Sequence, residues 1–283
     1  VRLGGPVCSA RLNSFVKAAS PRLHLRVTEA PLRLDHDHVA THHLACSLET
    51  LAKALSRAGL EPAGGPPPFW KRLSDAAGEV IEEMIAPPHG LTEPFVARTV
   101  SRRLLPGSSL QISSSMPIRD LDFLAKPCTE PTVGPGRPPA SNRGASGIDG
   151  VINTAVGFVH GTGSPATLVI GDVASLHDLN ALQQLTGPDV PALTIVIVNN
   201  GGGGIFSFLP IARHEIVMTP FFNEPHTTDF SSACRAFNIQ HILCETAEDF
   251  EVAYMQRQRQ GITGACVIEA RVCLPHSANV TLH

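Results

Sequence analysis

The sequence predicts an α/β fold whose parallel sheet is covered by helices on both faces, and three observations carry that prediction. Strand-length apolar runs alternate with segments whose apolar residues recur at helical spacing. Two of the runs, Thr167-Leu168-Val169-Ile170 and Leu193-Thr194-Ile195-Val196-Ile197-Val198, are apolar throughout, as strands buried on both faces must be. They end in Gly171-Asp172 and in Asn199-Asn200-Gly201-Gly202. Between them, Ser175 to Leu185 is apolar at helical spacing. A strand, a crossover helix and a second parallel strand would bring both polar tips to one sheet edge.

Taken in order, the elements divide the chain. Residues 1 to 60 read as the remainder of an α/β domain. A helix is expected from Ser9 to Ala19, with Leu12, Phe15, Val16 and Ala19 on one face, followed by a strand at Leu23–Val27. A second helix fits Ser47 to Ala58 and stops at Gly59. Glu61 to Pro68, rich in Pro and Gly, is the expected linker, and Phe69 to Ile85 a connecting helix, so that 61–90 joins two domains. The second domain, 91–283, opens with Thr92-Glu93-Pro94, since Pro is well placed in a first helical turn, and that helix should reach Leu105. A strand at Ser109–Ile112, the loop Ser113-Ser114-Ser115 and a short helix from Pro117 follow. A Pro/Gly-rich loop spans Pro127 to Ala140, and a small-residue helix runs to about His160. Beyond Gly204, helices fit Asp229–Phe237 and Ala247–Gln258, and strands Gln240–Leu243 and Ala265–Ala270.

Composition narrows the function. The net charge is −3 and no basic stripe is interleaved with aromatics, which argues against a nucleic-acid partner. The longest apolar runs are strand-length, so no membrane span is expected. The 7 cysteines (8, 46, 128, 234, 244, 266 and 273) are odd in number and form no CxxC pair, which favours free thiols in a reducing compartment. No signal or transit peptide is read at the start. Val1-Arg2-Leu3-Gly4-Gly5 looks like the end of a strand, so the chain is expected to be a fragment.

The chemistry concentrates at the two strand tips. Open α/β sheets bind ligands at the carboxyl edge of their strands. A carboxylate, a side-chain amide and backbone carbonyls gathered there form a hard-oxygen site suited to Mg²⁺, which completes its shell with phosphate oxygens and water. The helix after Gly171-Asp172 would add N-terminal amides that favour an anion. Singly, the glycines could be a flexible loop and Asp172 a helix cap. Together they read as a metal–diphosphate site.

Gly-Asp followed, 28 residues after the Asp, by the second Asn of Asn-Asn-x-Gly resembles the diphosphate-binding motif of thiamine-diphosphate enzymes. The resemblance implies that Asp172, Asn200 and the Gly202 carbonyl hold Mg²⁺ or Mn²⁺, with Val173 and Ala174 beside the cofactor. Ser113 to Asp120, Ser141-Asn142-Arg143-Gly144-Ala145-Ser146-Gly147-Ile148-Asp149-Gly150 and Asn199 to Pro210 narrow the likeness to the MenD family of synthases. The long loop before Ser141 and Ser175-Leu176-His177-Asp178 are most similar to its plant and algal multidomain members. The family likeness is strong over about 90–275 and weaker over 1–60, the end of the family's middle domain. It implies a thiamine-diphosphate-binding fold and a transferase that decarboxylates 2-oxoglutarate and adds the product carbanion to isochorismate, in menaquinone or phylloquinone synthesis. Arg119 and Arg143 match arginines that bind substrate carboxylates, a task suited to a planar, permanently charged fork. Ser115 matches a serine lining the same pocket, and Ile148, Ile205, Phe206 and Leu209 match the apolar wall around the thiazolium. Core packing is the competing role for those four, and a surface ion pair for each arginine.

The resemblance also implies what must come from elsewhere. The family's activating glutamate lies on a pyrimidine-binding domain, supplied here by another segment or a neighbouring subunit, so a homo-oligomer is expected and this chain alone should not turn over. Ser9-Ala10 stands where the family carries Ser-Lys, and Arg11 is the candidate replacement. Gly201 stands where bacterial relatives often have Asn, a neutral change if the ligand there is backbone. The plant-like stretches suggest a plastid. Two readings stand beside this one: another thiamine-diphosphate lyase or synthase for small 2-oxo acids, and a non-catalytic assembly module. Asp35-His36-Asp37-His38 and Thr41-His42-His43 are read as a structural turn and surface rather than a metal cluster, His177 and Asp178 as loop braces, and Cys234 and Cys266 as core residues.

Overall fold

The computed structural model describes residues 1–5, 7–29, 35–59, 64–65, 67–87, 90–126, 139–142, 146–187, 192–259, 261 and 263–272. The chain forms two compact units, Val1–Ala77 and Gly78–His283. Among the described residues no helix is long and apolar enough to cross a membrane.

The first unit is built on a small parallel sheet. Strand β1 is Arg2–Leu3, β2 Leu25–Thr28 and β3 His42–Ala45, in the order β1-β2-β3. Helix α1, Ala10–Ala19, begins where the Ser9 hydroxyl accepts the Leu12 N–H, and α2, Leu48–Arg57, where Ser47 accepts that of Thr50. Each cap satisfies one of the amides a helix start leaves open. Strand β3 departs from expectation, since His42-His43 reads as polar surface. Parallel pairing with β2 and a 2.7 Å contact between His43 Nε2 and Thr28 Oγ1 hold it extended instead. Asp35 caps its own turn, accepting the Val39 and Ala40 N–H groups at 3.3 and 2.9 Å. Half of the expected linker (61–63 and 66) lies outside the described residues. Helix α3, Pro68–Met84, runs across the boundary between the units.

The second unit carries a six-stranded, all-parallel sheet. Its elements are α4 (Glu93–Arg103), β4 (Ser109–Ile112), α5 (Met116–Leu124), β5 (Ala140–Ser141), α6 (Val151–Thr162), β6 (Ala166–Gly171), α7 (Asp172–His177) and β7 (Leu193–Asn199). They continue as α8 (Glu215–Phe221), α9 (Phe230–Ala236), β8 (Gln240–Cys244), α10 (Ala247–Arg257) and β9 (Ala265–Arg271). The strand order is β5-β4-β6-β7-β9-β8. From β4 the chain steps outward to β5, then crosses back over β4 to β6. That reversal opens a crevice at the carboxyl ends of β4 and β6.

Period-two alternation divides β6 and β7 between two cores. Leu168, Ile170, Leu193, Ile195 and Ile197 pack with α6 and α9, while Val169, Val196 and Val198 pack with α4, α5 and α10. Each such side chain, buried fully, contributes about 1.5–3 kcal/mol, which makes these two strands the rigid base of the edge above them.

One expected element is corrected. Ser175–Leu185 is not a single α-helix: α7 starts at Asp172 and ends at His177, and Leu179–Leu185 continues as a 3₁₀ segment. The Asp178 carboxylate accepts the backbone and side-chain N–H groups of Asn153 at 3.0 and 2.9 Å, and its own backbone leaves the helical region. Ala181, Leu182 and Leu185 still reach the core. A period of three and one of 3.6 are hard to tell apart over seven residues.

Candidate metal and diphosphate site

Asp172 is the first residue of α7 and is 3% exposed. Its Oδ1 accepts the Val173 N–H at 2.7 Å. Its Oδ2 accepts three consecutive N–H groups of the turn after β7: Asn200 at 3.1 Å, Gly201 at 2.9 Å and Gly202 at 3.0 Å. His226 Nε2 lies 3.3 Å from the same oxygen. The two strand tips are therefore joined through one carboxylate. The turn depends on glycine at position 202, where φ is +118° and a Cβ would collide with the Glu224 carbonyl.

The two asparagines are held from opposite sides. Asn199 Oδ1 accepts the Gly201 N–H at 3.1 Å while its Nδ2 donates to Glu269 at 2.8 Å. Glu269 is buried and contacts His241 Nε2 at 2.9 Å and Arg271 at 3.5 Å. Burial alone would raise the Glu269 pKa, but its bonds to His241 and Asn199 outweigh that and hold it below the usual carboxylate range. Asn200 Oδ1 accepts the Gly202 N–H at 3.2 Å, and its Nδ2 donates to Glu93 Oε1 at 2.7 Å.

A cleft of about 90 Å³, open to solvent, lies above this turn at the crevice between β4 and β6. Seven of the sequence-expected residues line it: Ser115, Ile148, Asp172, Val173, Ala174, Asn200 and Ile205. Four others lie outside its lining. Gly202 is buried beneath the turn, Phe206 packs edge-on against Phe222 with ring centroids 5.5 Å apart, and Leu209 is exposed. Arg119 is also exposed, and its guanidinium donates to the Ser115 carbonyl. Arg143 lies outside the described residues. The segment just before it is fixed by Gln111, which donates to Asn142 Oδ1, and by Ser114, which donates to the Asn142 carbonyl. Ser115 sits at φ +71°, a conformation costly for a residue with a Cβ and one that collects at functional sites.

Two cleft residues, Glu93 and Asp120, escape sequence reading. Glu93 looks like an ordinary first-turn acid, yet it is 3% exposed. Its pKa is raised by burial and by Asp172, and drawn back by the Asn200 N–H. Asp120, also buried, is pushed well above the usual carboxylate range by burial and then by Glu93, with Arg119 opposing. No local sequence pattern marks either: Glu93 follows Thr92 and Asp120 follows Arg119, and only the fold buries them.

Three buried carboxylates around one cleft make it favourable for a cation. Among the described residues no three His, Cys, Asp or Glu side chains converge to hold a metal ion. A cation here would take mixed oxygen ligands. The Asp172 carboxylate, the Asn200 amide oxygen and turn carbonyls are hard donors that fit Mg²⁺ or Mn²⁺. Among the described residues Asp172 Oδ1 accepts a single N–H, which leaves it room for a metal. Val173, whose amide was expected to face an anion, donates instead to Asp172.

An all-parallel sheet with an aspartate and a glycine-rich turn joined at its switch-point edge is the thiamine-diphosphate-binding fold class. No protein-family model matches the chain. Curated relatives are nevertheless clear. The chain is 42% identical over 284 residues to a 2-succinyl-5-enolpyruvyl-6-hydroxy-3-cyclohexene-1-carboxylate synthase of Rubrobacter xylanophilus, covering 100% of this chain and 47% of that protein. It is 37% identical over 273 residues to the synthase of the same name from Salinibacter ruber, covering 96% and 44%. For the synthase of Chlorobium limicola the identity is 38% over 251 residues, covering 89% and 42%. The chain belongs to this synthase family, MenD, and spans about half the length of the curated relatives it matches.

Proposed function

We propose that this chain supplies the metal–diphosphate half of the active site in a thiamine-diphosphate-dependent transferase. The enzyme decarboxylates 2-oxoglutarate and joins the remaining four-carbon unit to isochorismate, in menaquinone or phylloquinone biosynthesis. The observation that carries the reading is Asp172, one buried carboxylate gathering the Asn200, Gly201 and Gly202 amides at the floor of a cleft. The names of the relatives support the reaction.

In this reading Asp172, Asn200 Oδ1 and the Gly202 carbonyl hold Mg²⁺ or Mn²⁺. When bound, thiamine diphosphate supplies the electron sink for decarboxylation. Val173 and Ala174 sit beside the diphosphate. Ile148 and Ile205 keep water from the cleft, and Phe206 and Leu209 extend that apolar wall. Ser115 orients substrate, and Arg119 and Arg143 fix the substrate carboxylates by paired N–H bonds. Residues 1–60 form the end of a middle domain, 61–90 the connection, and 91–283 the diphosphate-binding domain. A pyrimidine-binding domain, upstream or on a neighbouring copy in a homo-oligomer, completes the site with its glutamate. A plastid location rests on the plant-like stretches named above.

The test is an assay of the intact gene product with 2-oxoglutarate and isochorismate. Carbon dioxide release that depends on both 2-oxoglutarate and Mg²⁺ is expected, with Arg119→Ala raising KM for 2-oxoglutarate while cofactor affinity holds. Turnover of pyruvate in preference to 2-oxoglutarate would assign the chain to the small 2-oxo acid enzymes instead.

A further inference from the structure

Asn200 presents two chemically opposite ends, an oxygen that can ligate a cation and an NH₂ that repels one. Something must decide which end faces the metal. In the structure the NH₂ end donates to Glu93 Oε1 at 2.7 Å, and the oxygen end accepts the Gly202 N–H at 3.2 Å. That same Gly202 N–H also donates to Asp172 Oδ2 at 3.0 Å. The Asp172 and Asn200 oxygens therefore converge on one N–H, while the NH₂ end is turned toward Glu93. Glu93 Oε1 acts here as an acceptor, so it holds the NH₂ end of the amide and leaves the oxygen end facing the turn.

Glu93 is rigidly placed for this task. It opens α4, whose first turn is capped by Thr92 accepting the Phe95 N–H at 3.2 Å. The helix is anchored in the core through Phe95, Val96, Ala97 and Val100. Glu93 is 3% exposed and 107 residues from Asn200 in sequence, so the contact is made by the fold and not by local chain geometry.

We propose that Glu93 is a positioning residue for the cation: by accepting the Asn200 NH₂ it fixes the side-chain amide with its oxygen toward the metal. The inference rests on the metal–diphosphate reading above. It assigns a task outside the ligand set to a residue that the motif does not contain. Groups that orient a metal ligand from behind are worth about 10- to 100-fold in metal affinity.

The test uses the intact gene product and Mn²⁺ with thiamine diphosphate, reading bound Mn²⁺ by electron paramagnetic resonance and cofactor affinity by calorimetry. Glu93→Gln can offer either an acceptor or a donor, so Asn200 is free to turn over, and Mn²⁺ affinity should fall about 10- to 100-fold. Asn200→Asp alone sets two carboxylates face to face and should weaken binding at least as much. Combining Asn200→Asp with Glu93→Gln reverses donor and acceptor: the glutamine NH₂ holds one oxygen of the new carboxylate and leaves the other for the metal. The pair should bind Mn²⁺ more tightly than Asn200→Asp alone, a recovery that a packing role for Glu93 does not produce. Unchanged Mn²⁺ affinity in Glu93→Gln overturns the proposal, and so does a pair no tighter than Asn200→Asp. Should Glu93→Gln fail to fold, the comparison of the pair with Asn200→Asp decides alone. An Asp172→Ala variant that still binds Mn²⁺ with thiamine diphosphate would sink the underlying site reading, a result separate from either of these.

Discussion

Asp35 and Asp172 are both buried aspartates whose carboxylates collect backbone N–H groups, one within its own turn and the other across 28 to 30 residues of chain. Asp35 bonds Val39 and Ala40, its close neighbours, and so shapes one loop. Asp172 bonds the far end of the next strand and so ties two sheet tips into one surface. In sequence, the stretch around Asp35, with its histidines, is the more conspicuous metal candidate. The density of ligand-type residues and the reach of a carboxylate are thus separate properties: the crowded stretch shapes its own loop, and the single acid at the end of a buried strand joins two strands.

That contrast can be broken in several places. The largest effect is expected from Asp172→Ala, which leaves the Val173, Asn200, Gly201 and Gly202 amides without their carboxylate. Mg²⁺-dependent cofactor binding should vanish from calorimetry, with stability lowered by about 3–5 kcal/mol because buried N–H groups lose an ionic acceptor. Gly202→Ala comes next. It forces a Cβ into the Glu224 carbonyl at a φ of +118° and should cost about 2–4 kcal/mol in denaturant melts. A melt like that of the unsubstituted chain would mean the turn is looser than its close contacts imply. Asp35→Ala should cost only about 1–2 kcal/mol, as the loss of a local cap does, and should leave cofactor affinity untouched. A fall in affinity there would erase the distinction between the two aspartates.

The smallest effect concerns pH. Glu269 holds its pKa below the ordinary glutamate value, so the unfolded chain takes up its proton first as pH falls. Its contribution to stability is therefore complete above the ordinary glutamate range and is lost as pH drops through that range to the lowered value. Thermal midpoints recorded from neutral pH downward should decline less steeply in Glu269→Gln than in the unsubstituted chain. Parallel declines would show that the Asn199–Glu269–His241 network does not couple to folding.

Much of this architecture is legible in the amino-acid sequence itself. The buried runs of β6 and β7 stand out because both faces must be apolar, and their polar endings mark the edge. Strand β3 is hidden because His42 and His43 carry no apolar alternation and only pairing with β2 extends them. The break at Asp178 is hidden because its cause, Asn153, lies 25 residues upstream. Glu93 and Glu269 are hidden for the same reason. Each acts on an asparagine 107 or 70 residues away, and no local pattern encodes such a contact. Local chemistry can be read from the chain, whereas the orientation of that chemistry is set by long-range packing.

The most direct test titrates thiamine diphosphate into the intact gene product by calorimetry, with Mg²⁺ and again with the metal chelated. A metal held between Asp172, Asn200 and the turn predicts saturable binding with Mg²⁺ and none detectable without it. Equal affinity in both titrations would contradict the account.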